Sequence, residues 1–385
     1  MMMRRTLLLR FAITVGCLGA ATAILPSGSL RTFITHAQSG PTTVNYTGYA
    51  SYLYHTLHNP TGISLQPGGG VLWIADSSNN VIRSFTLSTG TLAVSAGNGT
   101  AGYVNSSAPL SAEFNFPTGI SSEVLTAVNP TTGQHYTSIA LHVTDANNNV
   151  IRSVCLGPTL PCGSSPGVTT VAGTGAAGDS NGPANEATFN VPVALDPSNV
   201  FIADLANNAI RQLNTGTVTS LVPSASPGYV NGPLSSARFN YPTMAISSSL
   251  GTLIVDTGNS SIRLVSGSEV STIAGNGASG YANGQGAEAQ FYKPTAILYN
   301  SSDGYYYIAD TFNNCIRRMN SSGDVTTYAG VGGHGGHQDG AASTALFDKP
   351  TGLAIGNGYL YVADSGNNCI RRIDMTALEV STYID

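Results

Sequence analysis

Short runs of β-branched and aromatic residues recur along most of the chain, separated by polar segments rich in Gly, Asn and Ser. Apolar runs of this length bounded by turn-forming residues are typical of β-strands. The end of the sequence shows the pattern most clearly and predicts strands at 352–355, 359–364, 369–373 and 380–384. The alternation therefore predicts an all-β protein made of small four-stranded units.

One sequence unit recurs six times. An Asp closes a β-rich run, x-x-N-[NS]-x-I-R follows, and an Arg thus stands seven residues after each Asp. Successive Asp residues lie 69, 59, 52, 54 and 54 positions apart, and such a period indicates a repeat protein. The six pairs are Asp76 and Arg83, Asp145 and Arg152, Asp204 and Arg211, Asp256 and Arg263, Asp310 and Arg317, and Asp364 and Arg371.

A second motif, A-x-F-x-x-P, precedes five of the six copies, and Pro60 begins the first unit with a degenerate version. The Asp-x-x-Asn-Asn segment predicts a tight hairpin turn, because Asn tolerates left-handed backbone angles and Asp accepts hydrogen bonds from the turn. Four-stranded units that repeat radially protect their sheet edges in β-propellers. We therefore expect an all-β, six-bladed β-propeller of four-stranded antiparallel blades.

The patterns P-T-G-[IL], [YW]-[VI]-A-D-x-x-N-N-x-I-R and V-[ST]-T-x-A-G resemble the NHL repeat over roughly residues 42–385. The resemblance implies a six-bladed propeller. It leaves the function open, because NHL-like propellers include protein-binding and RNA-binding modules, extracellular adhesion domains and a few lyases or hydrolases. We expect the blades at about 60–116, 117–191, 192–241, 242–293, 294–349 and 350–385.

The two ends of the repeat region predict how the ring closes. Residues 382–385 align with 327–330 at the end of a fourth strand, and residues 48–50 match 280–282 in a connection between units. We expect blade six to close against blade one, with residues 42–58 across the seam. Alternatively, residues 42–46 add a strand to blade six.

The N-terminus has the features of a secretory signal peptide, with three arginines, an apolar stretch from Phe11 to Leu25 and a small-residue A-x-A pattern. We expect a signal over residues 1–23, with cleavage after Ala23 or as late as Ala37, and a linker over 24–41. An uncleaved anchor is the alternative, although the apolar stretch is shorter than the roughly 20 residues of a spanning helix. We therefore expect a secreted or cell-surface protein without a membrane span in the mature chain.

Charged residues make up only 9% of the chain, against about 25% in an average domain, and the net charge is -5. Beyond the signal and Arg31 there are eleven basic residues, of which six are the repeat arginines. The other five are Arg318 and Arg372, beside two repeat arginines, and Arg238, Lys293 and Lys349 in loops. No basic patch remains to neutralise phosphates, so nucleic acid is not expected as a partner.

Four cysteines follow the signal. Cys155 and Cys162 are spaced to form a disulfide that closes a local loop. Cys315 and Cys369 occupy the same position in successive units, where a ring places them beyond the roughly 7 Å reach of a disulfide, so we expect buried, unpaired thiols. In a eukaryotic source, N-x-S/T sites predict a glycoprotein at Asn45, Asn98, Asn105, Asn259, Asn300 and Asn320.

In each unit the turn between the second and third strands and the connection to the next unit share one face. This face is rich in Gly, Asn and Tyr, a composition that suits recognition of a protein or glycan; alternatively, these residues only make long loops possible. The candidate contact residues are Tyr103, Tyr229, Tyr281, Asn231 and Asn283. We interpret the six Asp–Arg pairs as scaffold, in which each Asp fixes a turn and each Arg bonds to loop carbonyls or a nearby Asp.

Propeller hydrolases and lyases related to this fold place metal-binding side chains where the inner strands face the central channel. Here the segments that follow the repeated prolines carry no ionisable residue, so we expect no catalytic residue, no channel metal and no cofactor. The one candidate metal set is His334, His337 and Asp339, suited to Zn²⁺ or Cu²⁺; exposed loop histidines are the alternative. His142 is expected to be a packed core histidine.

These observations favour a non-enzymatic extracellular binding or structural module that contacts a protein or glycan through its loops. The competing hypothesis is a secreted hydrolase or lyase of gluconolactonase-like or amidating-lyase-like type. Self-assembly is a further option. The departures from the repeat, at 334–339, at 155–162 and in a long insertion at 121–138, are where individual properties are expected.

Overall fold

A computed structural model describes residues 20–24, 30–34, 56–129, 131–157, 167–196, 198 and 200–385. The chain divides into two compact units, Met1–Tyr49 and Ala50–Asp385. In the first, strands β1 (Ala20–Ile24) and β2 (Leu30–Ile34) form an antiparallel pair. The rest of the predicted signal peptide and linker, and residues 42–55 of the predicted seam segment, lie outside the described residues. No helix among the described residues has the length and apolar character to cross a bilayer.

The second unit consists of six antiparallel sheets, the blades, that follow one another along the chain. Blade one is β3 (Pro60–Leu65), β4 (Val71–Asp76), β5 (Val81–Thr86) and β6 (Thr91–Ala96). Blade two is β7 (Pro117–Val128), β8 (His135–Asp145), β9 (Val150–Leu156) and β10 (Gly167–Ala172). Blade three is β11 (Gly182–Pro183), β12 (Pro192–Leu195), β13 (Phe201–Asp204), β14 (Ala209–Asn214) and β15 (Thr217–Val222).

Blades four to six repeat the five-stranded arrangement of blade three. Blade four is β16 (Gly232–Pro233), β17 (Pro242–Ser248), β18 (Gly251–Asp256), β19 (Ser261–Ser266) and β20 (Glu269–Ala274). Blade five is β21 (Gly284–Gln285), β22 (Ala296–Asn300), β23 (Tyr305–Asp310), β24 (Cys315–Met319) and β25 (Asp324–Ala329). Blade six is β26 (Gly340–Ala341), β27 (Pro350–Gly356), β28 (Tyr359–Asp364), β29 (Cys369–Asp374) and β30 (Glu379–Ile384).

The ring is closed by the first strands of the blades. β3, β7, β12, β17, β22 and β27 each contact the next, and β27 contacts β3. Across the last interface the Ser365 hydroxyl donates to the Pro60 carbonyl at 2.5 Å, and the Asn357 amide donates to the Gly69 carbonyl at 2.8 Å. The predicted six-bladed propeller, with blade six against blade one, is confirmed.

The prediction of four strands in every blade is wrong for blades three to six, which carry a fifth, two-residue strand at the outer edge. This strand lies in the connection from the preceding blade and pairs with the fourth strand of its own sheet. It begins at a glycine with positive φ, a conformation that L side chains rarely adopt. These glycines are Gly182, Gly232, Gly284 and Gly340.

The residue before the first proline of each blade has a left-handed backbone, with φ between 47° and 57°. These pre-proline residues are Asn59, Phe116, Val191, Tyr241, Lys293 and Lys349. The backbone N–H of each donates to a side chain in the preceding blade. The acceptors are, in the same order, Asn368, Asn80, Asn149, Asn208, Ser260 and Asn314. Every interface of the ring is thus fixed by a hydrogen bond of the same kind.

Candidate functional site

The repeated Asp residues lie at the centre of a buried hydrogen-bond network, which blade four illustrates. One oxygen of Asp256 accepts the backbone N–H of Asn240 at 2.8 Å. The other accepts the Asn259 amide at 2.9 Å and the Arg263 guanidinium at 2.6 Å. All six Asp and all six Arg side chains are fully buried, so solvent does not reach the pairs.

Each repeat Arg also binds the loop that precedes its own blade. Arg263 donates to the carbonyls of Arg238 and Val230 and to the Asn231 side chain, at 3.2, 2.8 and 2.7 Å. Its guanidinium lies between the rings of Tyr229 and Phe239, at 4.9 and 4.8 Å from their centroids. The phenylalanine is that of the A-x-F motif, whose contact with the repeat Arg was not anticipated from the sequence. This network has the chemistry of a scaffold, and in blades two to six aromatic rings also lie against the repeat Arg.

Burial raises the pKa of five repeat aspartates above the ordinary value, and their hydrogen bonds and the paired Arg act against this shift. The carboxylates therefore depend on their donors to remain charged in an apolar setting. The five are Asp145, Asp204, Asp256, Asp310 and Asp364.

The structure places the candidate contact tyrosines over these arginines. Tyr103, Tyr229 and Tyr281 lie 5.1, 4.9 and 5.0 Å from Arg152, Arg263 and Arg317, and each hydroxyl bonds to a Thr of the fourth strand. Their exposures are 44, 39 and 43%, so only part of each ring remains available for contact.

The two candidate asparagines are engaged in the same way. Asn231 and Asn283 accept hydrogen bonds from Arg263 and Arg317 at 2.7 and 2.8 Å. Each also accepts from the Thr that its neighbouring tyrosine contacts, at 3.2 Å in both blades. These loop residues are therefore held in fixed positions over the framework.

The candidate metal ligands are not brought together. His337 occupies the position of the tyrosines and its Nε2 contacts the Thr382 hydroxyl at 2.9 Å. Asp339 occupies the position of the asparagines and is paired with Arg371 at 2.6 Å. His334 is exposed and its Nδ1 contacts the Gly332 carbonyl, and no metal-ligating group of three forms among the described residues. Two members of the predicted set thus occupy scaffold positions of the repeat, and the structure does not assemble the three side chains.

The central channel holds a cavity of about 200 Å³ between the first strands. Its lining consists of Thr, Gly and aliphatic side chains contributed by all six blades. Several Thr hydroxyls donate to carbonyls of the neighbouring blade, as Thr243 does to Thr295 at 2.7 Å. The lining thus offers hydroxyls and apolar surface, and neither group provides general acid–base catalysis near neutral pH.

A group of exposed aromatic residues, not anticipated from the sequence, stands on the loop face beside the channel. We call it the blade-five patch: Tyr292, Lys293 and Phe312. The two rings are 5.2 Å apart, and the Lys293 ammonium lies 5.0 Å from the Phe312 centroid. Tyr292 and Phe312 are 38 and 41% exposed. The corresponding residues of blade three are Asn190 and Ala206, so the repeat does not require aromatic rings here.

Cys315 and Cys369 are buried free thiols, as predicted. Burial, together with the adjacent Asp364, raises the pKa of Cys369 to about 12, so it stays protonated and unreactive near neutral pH. Cys155 is buried at the end of β9, whereas Cys162 lies outside the described residues, and their disulfide stays a prediction.

His142 is mostly buried on β8, and its side chain lies 3.8 Å from Glu123. Burial lowers its pKa, and the Glu123 carboxylate acts in the opposite direction.

The fold and the sixfold framework define the class of protein, a six-bladed β-propeller. The NHL-repeat family model matches residues 347–373, which run from the end of the blade-six connection to β29. The predicted resemblance is thereby confirmed.

Two curated relatives share part of this sequence. "Protein SUPPRESSOR OF QUENCHING 1, chloroplastic" from Arabidopsis thaliana is 36% identical over 140 residues, which are 36% of this chain and 13% of the relative. "NHL repeat-containing protein 2" from Homo sapiens is 41% identical over 75 residues, 20% of this chain and 10% of the relative. The matched segments thus span a small part of each relative's length.

Among solved structures, an auxiliary nutrient binding protein from Bacteroides ovatus superposes with a TM-score of 0.55 at 14% identity. The superposition covers 85% of this chain and 70% of that one. At this identity the similarity concerns the fold alone.

Proposed function

We propose that this protein is a non-enzymatic extracellular binding module whose loop face holds a protein partner. The blade-five patch carries the proposal. It places two exposed rings and an ammonium where the repeat itself needs none of them, and aromatic anchors beside a cation are typical centres of protein recognition.

The surroundings of the patch support binding. Tyr241, at the pre-proline position of blade four, is 51% exposed on the same face. Its backbone is fixed by the Asn208 side chain at 2.9 Å, and the Lys293 backbone is fixed by Ser260 at 3.3 Å. Side chains on a backbone held in this way lose little conformational entropy when a partner binds.

The residues that line the channel favour a binding role over a catalytic one. An active site of the hydrolase or lyase type needs acid, base or metal-ligating side chains around its substrate. The cavity between the six first strands is lined by hydroxyl-bearing, aliphatic and Gly residues. One propeller of similar fold is itself described as an auxiliary nutrient binding protein, so binding is compatible with this architecture.

The test replaces the patch with the residues of blade three, as Tyr292→Asn with Phe312→Ala. The immobilised protein is incubated with extracellular fluid of its source, and captured proteins are identified, purified and titrated by calorimetry. We expect the double variant to bind its purified partner at least tenfold more weakly, a loss of about 1.4 kcal/mol or more. The matched control is Asp303→Asn on the opposite face, which should bind with unchanged affinity.

Three results would overturn the proposal. The first is equal affinity of the double variant and the unmodified protein. The second is patch-dependent binding on a glycan array without any protein partner, which would make the ligand a glycan. The third is stoichiometric zinc or calcium by elemental analysis together with turnover of a lactone or ester substrate.

A further inference from the structure

A second cleft lies between blades five and six on the face opposite the loop face, and its volume is about 680 Å³. It is bordered by three hairpin turns at 301–304, 357–358 and 375–378. These turns join first to second or third to fourth strands, which places the cleft at the far end of the blades from the blade-five patch. Its volume falls within the range of small-molecule sites, about 300 to 1,000 Å³.

Polar and aromatic groups converge in this cleft. The Tyr307 hydroxyl donates to the Asp303 carboxylate at 2.6 Å. The rings of Tyr307 and Tyr328 meet edge to face with centroids 4.8 Å apart. Tyr299, at the rim, is 45% exposed and packs on Tyr306 at 4.9 Å. Tyr307 itself is buried, so the cleft combines the exposed ring of Tyr299 at its rim with the Asp303 carboxylate that Tyr307 holds in place.

Arg318 has donors left to offer. Its guanidinium lies over the Tyr305 ring at 4.4 Å and near the Tyr328 ring at 5.9 Å. The Nε–H is buried, and no described residue accepts a hydrogen bond from it. The Nε–H groups of five buried repeat arginines also have no acceptor among the described residues, so an unpaired Nε–H is common to the arginines of this fold.

The propeller framework does not require this arrangement. Tyr307 pairs with Arg318 across β23 and β24, and Tyr328 stands on β25. Blade six has the similar set Tyr361, Arg372 and Tyr383, but there the guanidinium is enclosed by Tyr359 and Tyr383, at 4.4 and 4.5 Å. The other blades have different residues at these three positions. Blade one has Trp73, Ser84 and Ser95, blade two has His142, Ser153 and Val171, blade three has Phe201, Gln212 and Leu221, and blade four has Leu253, Leu264 and Ile273.

We infer that this cleft binds a neutral saccharide. A C–H face of the sugar would lie on the exposed Tyr299 ring, while its hydroxyls accept from Arg318 and donate to Asp303. The charges around the cleft favour a neutral ligand, because Arg318 offsets Asp303 and Arg372 offsets Asp374.

The experiment uses saturation-transfer NMR with the methyl glycosides of glucose, galactose, mannose and N-acetylglucosamine, each at up to about 10 mM. We expect at least one to bind, and its affinity is then measured by calorimetry. Asp303→Asn and Arg318→Gln, the latter placing the blade-three residue in blade five, should each weaken binding at least tenfold. Arg318→Lys should also weaken it, since an ammonium lacks the planar donor fork.

Lys349→Gln serves as the matched control, because it alters an exposed residue on the other face and should bind the glycoside unchanged. Thermal unfolding of every variant separates loss of binding from loss of fold. Binding of none of the four glycosides would overturn the inference. So would affinity unaffected by both cleft substitutions in folded protein, or a preference for sialic acid or inorganic phosphate over the neutral sugars.

Discussion

At the residue scale, the dominant feature is the enclosure of charge. An isolated buried guanidinium is costly, and each repeat Arg is accommodated by a carboxylate and loop carbonyls, with aromatic rings beside the arginines of blades two to six. Arg263 shows the full set, with Asp256, Asn231, Tyr229 and Phe239 around it. Because Asn231, Tyr229 and Phe239 belong to the loop before the blade, the Asp–Arg pair fixes the position of that loop as well as its own turn.

Removing one partner of this pair should be severe. Arg263→Met leaves the Asp256 carboxylate buried without its cation, and we expect the free energy of unfolding to fall by about 3 to 5 kcal/mol. Urea denaturation followed by circular dichroism measures the change. Lys349→Gln, at an exposed position, should change it by less than about 0.5 kcal/mol. A loss below about 1 kcal/mol for Arg263→Met would show that the pair does not stabilise the framework.

Residue roles were predictable only where one repeat unit determines them. The scaffold interpretation of the Asp–Arg pairs followed from their sixfold recurrence, and the burial of Cys315 and Cys369 followed from their shared position. The loop tyrosines were predicted as free contact residues because their contact with Arg depends on the path of a loop, which sequence spacing does not give. The same reason explains why His337 and Asp339 looked like metal ligands.

At the scale of elements, strand positions were predictable to within two residues. The predicted strands 352–355 and 369–373 are observed as Pro350–Gly356 and Cys369–Asp374. The fifth strands were missed because two residues cannot show a period, and the glycines that begin them resemble ordinary loop glycines. The insertion at 121–138 continues the β7–β8 hairpin, which pairs as far as Val128 and His135.

The last residue of each turn, an Asn in five blades and Ser260 in blade four, links neighbouring blades, and Asn208 tests this contribution. It has φ 51°, accepts the Tyr241 N–H at 2.9 Å and donates to the Ala225 carbonyl at 3.1 Å. Asn208→Ala loses both bonds and adds left-handed strain of roughly 1 to 2 kcal/mol, whereas Asn208→Gly loses only the bonds. We expect thermal and urea unfolding to show a destabilisation of about 2 to 3 kcal/mol for Ala and about 1 kcal/mol less for Gly. Equal losses would mean that the turn relaxes its backbone.

At the scale of the whole molecule, the ring has one interface unlike the others. Blades one and two are joined by the chain, whereas blades six and one meet through noncovalent contacts in the described part of the protein. The hydroxyl bond from Ser365 to Pro60 corresponds to that from Ser77 to Pro117 at 2.6 Å. The same kind of hydrogen bond therefore occurs at an interface whose blades are consecutive in the chain and at one whose blades are not.

This difference predicts that the interface of blades six and one opens more readily than the interface of blades one and two. Ser365→Ala should speed amide exchange in β3 and β27 about tenfold, as expected for a loss near 1.4 kcal/mol, because separated blades gain freedom when the seam opens. Ser77→Ala should speed exchange in β3 and β7 less, since the connecting chain keeps those blades together. Hydrogen exchange followed by mass spectrometry compares the two. Faster exchange in Ser77→Ala than in Ser365→Ala would contradict a weaker seam.

The ring is also asymmetric in chemistry. Blade five carries aromatic residues on both faces, the blade-five patch on one and the cleft with Tyr307 and Arg318 on the other. Sequence alone did not single out this blade, because its departures are scattered along the unit and converge only when strands are placed in register.

At the pre-proline positions the backbone conformation does not depend on the identity of the side chain, which makes these positions suitable for engineering. A neighbouring side chain holds each of these N–H groups, and the positions already hold Asn, Phe, Val, Tyr and Lys with nearly identical φ. Even Val191, a β-branched residue disfavoured in this conformation, is accommodated. Six sites around one channel mouth can therefore be randomised together as a combinatorial library, with the propeller serving as an unchanged display scaffold.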